Sequence, residues 1–279
     1  MKSTSGFSLI ELLVSSTIML IVFAMVFTAF IQTRKISERN TMDAEIVQNA
    51  RIGLDEIARS LRMIGHRRDV DHGQVAIIEA APFQIIFNAD LYADKSALPP
   101  QMDVNLYDAT IYTSPAQKYA PHAETIRWTL DSTDDGVVDR RDINDQAEEQ
   151  ETWRNPNDMV LIQEIMHSAN TSRWRDNQIT LGVLGPYDAK DQPTDIPPMF
   201  QYWLLEADNT FTLLGDENED LELEGDECYF RSITSQEILR KVRRIRITVT
   251  TESDQKDPFD PSSHRRISLS TEVSMRNVD

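Results

Sequence analysis

A single cysteine, Cys228, excludes an internal disulfide and any zinc or iron–sulfur site built from several thiolates. Glycine is scarce, 9 in 279 residues, which excludes a glycine-rich linker or a collagen-like repeat. Bases are outnumbered by acids, 28 to 46, and the formal net charge of −18 argues against a nucleic-acid binder, which presents a basic face to phosphate. The sequence has no Ser/His/Asp motif, phosphate loop or zinc signature, so no enzyme is expected. What is present is a chain of 40% hydrophobic residues, enough for a real core in one large domain or two small ones.

Leu12 to Ile31 form an uncharged, nearly all-apolar run of 20 residues. At about 1.5 Å per helical residue the run spans roughly 30 Å, the hydrocarbon thickness of a bilayer. A secretory signal has a shorter apolar core that ends in a small-residue cleavage site. Here the run is followed by Gln32-Thr33-Arg34-Lys35 instead. Glu11 stands at the edge of the apolar span, a costly place for a carboxylate without a partner. Lys2 precedes the span and Arg34 and Lys35 follow it, so loop charge alone does not orient it.

The segment Gly6-Phe7-Ser8-Leu9-Ile10-Glu11-Leu12-Leu13-Val14 resembles the prepilin motif of type IV pilins and of the pseudopilins of type II secretion. The resemblance implies cleavage after Gly6 by a prepilin peptidase and methylation of the new N-terminal residue, Phe7. It also implies that Glu11 pairs with the N-terminal amine of a neighbouring subunit. Two opposite charges tolerate an apolar environment only together, so such a pair fixes axial register. The same resemblance places the bulk of the chain outside the cytoplasmic membrane.

Between Asp43 and Ile64, apolar residues recur at Ile46, Val47, Ala50, Leu54, Ile57, Ala58, Leu61 and Ile64, one helical stripe. Glu45, Arg51, Asp55, Glu56, Arg59 and Arg62 occupy the opposite face. No proline interrupts Phe7 to Gly65, so one helix of about 58 residues and about 87 Å is expected, with Gly65 as its C-cap. The stretch Ala50 to His66 resembles the second characteristic segment of PilW-like minor pilins, and the J-type pseudopilin has a related segment.

The stripe needs a sheet to pack on. Strand candidates are Val75–Ile78, Gln84–Asn88, Glu124–Leu130, Met159–Ile165, Gln178–Leu184 and Phe200–Leu205. Arg244–Thr250 alternates with Ile245, Ile247 and Val249 on one face. Arg266–Arg276 alternates with Ile267, Leu269, Thr271, Val273 and Met275 on one face. A proline-containing loop, Asp254 to Ser263, joins the two as a long hairpin. Asp94 to Pro121 reads as an irregular insertion. The expected fold class is α+β: a type IV pilin fold in which a long N-terminal helix packs on an antiparallel β-sheet head with irregular loops.

The acidity is concentrated in two windows. Asp131 to Glu151 holds 9 acids and 2 bases, Asp216 to Glu227 holds 8 acids and no base, and outside them 29 acids face 26 bases. Such density repels itself unless solvated or neutralised by a cation. The first window has EF-hand loop spacing, with Asp131, Thr133, Asp135, the Val137 carbonyl, Asp139 and Asp142 at positions 1, 3, 5, 7, 9 and 12, and Gly136 at the turn. It resembles dockerin-type loops, which also end in Asp. The second repeats the spacing with Asp216, Asn218, Asp220, the Glu222 carbonyl, Glu224 and Glu227, but Leu221 replaces the turn glycine. A leucine there is strained in the left-handed region. The reading is two Ca²⁺ sites, the first better formed than the second; the alternative is a pair of solvated acidic tips.

Other polar groups read as structural. His66, Arg67, Arg68, Asp69, Asp71 and His72 form a charged surface loop after the helix, and His122, His167 and His264 stand alone in sequence. Cys228 reads as a small apolar residue entering a strand. Trp128, Trp153, Trp174 and Trp203 read as core or rim residues. Arg240 to Arg246 is basic and alternating, an exposed sheet face with the chemistry to meet a neighbour's acids.

The expected organisation is a leader at 1–6, a transmembrane and filament-core helix at 7–33, and a periplasmic or extracellular head at 34–279. The expected function is a non-enzymatic minor pilin of a type IV pilus, priming assembly or sitting at the tip, with calcium-stabilised surface loops that contact partner minor pilins or an adhesin, in a filament that serves motility, adhesion or DNA uptake. The alternative is a J-type minor pseudopilin of a type II secretion pseudopilus. Expected partners are other major and minor pilins, the prepilin peptidase, the inner-membrane assembly platform and a tip adhesin, with no nucleic acid. The chain is expected in the inner membrane before assembly and in a cell-surface pilus afterwards.

Overall fold

The computed structural model describes residues 8–67, 75–89, 124–133, 136–143, 157–166, 174–188, 190, 192–217, 220–221, 223 and 231–275. Helix α1 runs Leu9–Leu61, 53 residues without a break. It starts at Ser8 in a capping box: the Ser8 hydroxyl accepts from Ile10 N–H at 3.2 Å, and the Ser8 N–H donates to Glu11 at 2.9 Å. The C-cap is Arg62, three residues before the expected Gly65. Gly65 instead takes a φ of 70° and donates its N–H to the Asn88 carbonyl at 2.8 Å, stitching the helix exit to a strand.

The strands are β1 (Ile77–Ala80), β2 (Gln84–Ala89), β3 (Glu124–Thr129), β4 (Met159–Met166), β5 (Trp174–Val183), β6 (Phe200–Leu205), β7 (Phe211–Leu213), β8 (Val242–Asp257) and β9 (Asp260–Ser274), with a short helix α2 at Gln236–Leu239 before β8. Among the described residues they form one antiparallel sheet of nine strands in the order β1-β2-β3-β4-β5-β8-β6-β7, with β9 also on β8. Strand β8 is the hub: β6 and β9 both pair with Arg244–Ile247, and β5 meets Thr251 opposite Ile267 of β9. The fold is therefore α+β, a long N-terminal helix followed by an antiparallel sheet.

The helical stripe is the packing face. Ile46, Ala50, Leu54, Ile57, Ala58, Leu61 and Ile64 are buried, Val47 is half-buried, and the helix packs on β8, β9 and β5. Ile85, Phe87, Ile126, Trp128, Leu161, Phe200, Tyr202, Ile245, Ile247 and Val249 complete the core. Gly53 lets the two layers close: a Cβ there would lie 3.0 Å from Leu161 Cδ2 and 3.2 Å from Thr180 Cγ2. Thr251 Oγ1 donates to the Ile46 carbonyl at 2.9 Å, a direct strand-to-helix bond.

The hairpin departs from expectation. Asp254–Ser263 is not a loop: β8 continues to Asp257 and β9 begins at Asp260, leaving Pro258 and Phe259 as the turn. Asp257 accepts the Phe259 N–H at 2.9 Å, and Asp260 accepts the Ser262 N–H at 3.1 Å, so side chains close the tip. Pro261 is tolerated because β9 is an edge strand and its register with β8 slips near Lys256 and Asp257. The expected insertion at Asp94 to Pro121 lies outside the described residues.

Candidate functional site

Two regions carry the candidate residues. The first is the start of α1. Gly6 and Phe7 lie outside the described residues. Glu11 is described, and its carboxylate accepts the Ser8 N–H in the capping box. The apolar side chains from Leu9 to Ile31 are exposed, and among the described residues α1 is the one helix long and apolar enough to cross a membrane.

The second region is the pair of acidic loops. In the first, Asp131 leaves the end of β3 fully buried, and its Oδ2 accepts the Gly136 N–H at 2.8 Å. Gly136 has a φ of 88°, the left-handed turn that the spacing demanded. Asp142 is also buried. Its Oδ1 accepts the N–H groups of Ser132 at 2.9 Å and Thr133 at 3.0 Å, and its Oδ2 accepts the Asp139 N–H at 2.8 Å. The Thr133 hydroxyl stands between the two carboxylates, 3.3 Å from Asp131 and 3.1 Å from Asp142. Positions 1, 3 and 12 therefore converge. Ile143 then bridges to Met159 and ties the loop to β4.

Burial raises the Asp142 carboxyl above the ordinary 3.8, and the Asp131 charge adds to the shift. Asp139 does not join the centre. Arg141 holds its carboxylate at 2.6 Å, and that hydrogen bond lowers its pKa below 3.8. Val137 is exposed, and Asp135 lies outside the described residues. Among the described residues no group of three or more His, Cys, Asp or Glu is gathered as a metal cluster. What the loop does assemble is two buried carboxylates and a hydroxyl, hard oxygen donors of the kind Ca²⁺ takes.

The second loop repeats the closure. Asp216 Oδ2 accepts the Leu221 N–H at 2.8 Å, and Leu221 has a φ of 65°. Leu221 thus adopts the strained left-handed turn expected of it. Asp220 is described and exposed; Asn218, Glu222, Glu224 and Glu227 lie outside the described residues.

One buried pair escaped the sequence reading. Arg127 of β3 and Glu164 of β4 face each other in register, and their side chains form an ion pair that is 3% exposed on both sides. Arg127 also lies 3.6 Å from Asp131, so it links the sheet to the first loop's leading carboxylate. Beside this, Thr129 donates to Gln84 at 3.0 Å and Gln84 to Glu79 at 3.0 Å, while the Asp131 N–H donates to Thr129 Oγ1 at 3.0 Å. Beside the first loop lies a groove of about 930 Å³ whose lining includes Phe83, Val137, Pro186, Tyr187 and Arg231.

The remaining candidates read as structural. Trp128 is fully buried and Trp203 nearly so, with Arg246 4.8 Å from its ring centroid. Arg246 and Arg244 both pair with Glu272 of β9, so the basic face of β8 is matched within its own sheet. His264 bonds the Ser253 carbonyl through Nδ1 at 2.8 Å. Trp153, His72, His122, His167 and Cys228 lie outside the described residues.

Residues 1–27 match the family model described as the prokaryotic N-terminal methylation motif. Together, the motif, the apolar helix and the sheet head define an α+β protein with a type IV pilin-like N-terminus. That supports the class of type IV pilins and pseudopilins and points to a structural role rather than an enzymatic one. No curated protein and no solved structure matches the chain.

Proposed function

We propose that this chain is a minor pilin of a type IV pilus, of the PilW-like kind, that primes assembly or sits at the tip. The observation that carries the reading is one unbroken helix, 53 residues long, that begins in a methylation motif, exposes an apolar half and buries one face of its other half under a broad sheet. The prepilin peptidase removes residues 1–6 and Phe7 is methylated. The segment 7–33 resides in the inner membrane until the assembly platform extracts it into a filament of major and minor pilins. Glu11 then exchanges the Ser8 N–H for a neighbour's terminal amine. That local bond gives the carboxylate a partner before assembly, when its burial is otherwise most costly. A head of this size crowds a shaft of many copies, which favours the tip.

Calcium neutralises the two acidic loops at the head surface. In the first, Asp131, Thr133, Asp135, the Val137 carbonyl and Asp142 hold the ion, and Asp139 joins when it leaves Arg141. The stiffened loops, with the groove beside the first, meet partner minor pilins or an adhesin.

A clean deletion, scored together for surface filaments and secreted proteins, tests the reading. Fewer filaments with normal secretion support it. Normal filaments with cargo retained in the periplasm overturn it in favour of a J-type pseudopilin. Calorimetric titration of the protein with Ca²⁺ tests the loops: silence at millimolar calcium removes that part of the proposal.

A further inference from the structure

The β8–β9 hairpin ends in an exposed aromatic residue against the lower part of α1. Phe259 is 48% exposed, and its ring centroid lies 5.8 Å from Lys35 Nζ and 5.6 Å from Arg39 Cζ. Two ion pairs fix the tip: Arg39 to Asp257 at 3.5 Å, and Arg265 to Asp43 at 3.0 Å. Among the described residues of α1 before Met42, Lys35 and Arg39 alone are half-buried. Among the described residues the head therefore touches the helix below Met42 at the hairpin tip.

The height of that place follows from helix geometry. The apolar run ends at Ile31, so Lys35 stands about 6 Å and Arg39 about 12 Å beyond it. The headgroup layer on each side of a bilayer is about 5–7 Å thick. Strand β8 descends toward the span along α1: Val249 lies beside Gly53, Thr251 bonds Ile46, and Asp257 pairs with Arg39. Among the described residues the hairpin tip is thus the part of the head that comes down to the outer edge of the headgroup layer.

We infer that Phe259, with Arg34 and Lys35, forms a docking contact with the phospholipid headgroup layer while α1 spans the bilayer; this rests on reading α1 as the membrane anchor. The ring settles into the outer headgroup layer, and the cations meet lipid phosphate. Glu38 pairs with Arg34 at 2.8 Å and Asp257 with Arg39, so the contact is mixed in charge and suits zwitterionic headgroups. A second point of attachment beside the helix stops the head from swivelling about its anchor and presents one fixed face to the assembly machinery.

The test is fluorescence of the full-length Phe259→Trp variant in phosphatidylcholine vesicles, with and without lipids that carry a nitroxide on the headgroup or bromine near the top of the acyl chain. The parent's 4 tryptophans are subtracted. Phe27→Trp reports on the span. Phe211→Trp reports on the far end of β8, where Phe211 lies under Arg244, roughly 43 Å up the strand from Asp257. Bromolipid is expected to quench the indole at 27 and the headgroup nitroxide the indole at 259, each at least twofold, and neither is expected to quench the one at 211. Quenching at 27 without quenching at 259 overturns the docking contact alone. No quenching at 27 overturns the anchor and the contact with it.

Discussion

The Leu221 N–H donates to the Asp216 carboxylate at 2.8 Å, closing the second acidic loop by the same five-residue step that joins Gly136 to Asp131 in the first. The two loops share a turn and differ in a Cβ. Leu221 holds a φ of 65° and is 49% exposed, so it accepts left-handed strain for little burial. Leu221→Gly removes about 1–2 kcal/mol of strain and adds about 0.5–1 kcal/mol of chain entropy. A net stabilisation of about 0.5–1 kcal/mol in urea denaturation is expected. Gly136→Leu is expected to do the reverse, and equal stabilities for parent and both variants would contradict the account of the turn.

The first loop makes a prediction about pH. Burial raises the Asp142 carboxyl above 3.8, so its contribution to stability is fully present below 3.8 and is lost as pH rises through the folded value. Asp139 titrates below 3.8 and stays ionised over that window. In chelator, hydrogen-exchange protection of residues 131–143 is therefore expected to rise on going from pH 7 toward pH 4. With millimolar calcium the order inverts, because the proton and the cation compete for one carboxylate. The same profile with and without calcium would remove the ion from the loop.

The Arg127–Glu164 pair is buried on both sides, so removing one partner strands the other. Arg127→Met is expected to cost about 3–5 kcal/mol in denaturant unfolding. The double variant Arg127→Met, Glu164→Leu is expected to recover most of that loss, since two apolar groups replace two desolvated charges. No recovery in the double variant would show that Arg127 matters chiefly through Asp131.

Gly53 sets the separation of helix and sheet. Gly53→Leu drives a side chain into Leu161 and Thr180 and is expected to cost about 1–3 kcal/mol by overpacking. Gly53→Ala gains about 1 kcal/mol of helix propensity against a Cβ contact of 3.0 Å, so its effect is expected to be small. A neutral Gly53→Leu in thermal melts would mean that the layers are not in close contact there.

How far these features were legible depends on how local their causes are. The stripe from Ile46 to Ile64 and the alternation of Ile245, Ile247 and Val249 are periodic, and period alone reveals a buried face. The turns at Gly136 and Leu221 follow from loop spacing. Arg127 was not legible: it lies between Ile126 and Trp128 on the opposite face of the strand, and alternation sends it to water. Its burial depends on pairing with Glu164, a register set only when β3 and β4 meet. The turn at Phe259 was hidden by two prolines and a polar stretch, which an edge strand tolerates. Asp139 looked like a ligand by spacing, but Arg141, two residues on, competes for it.

The proposed role requires that this chain be processed as a prepilin and built into a filament. Mass spectrometry of the protein in sheared surface appendages tests it most directly. A chain that begins at N-methylated Phe7 is expected, and its loss from that fraction when Gly6 is replaced. A chain that keeps Met1 to Gly6, or one that is absent from the appendage fraction and remains in the membrane, would contradict it.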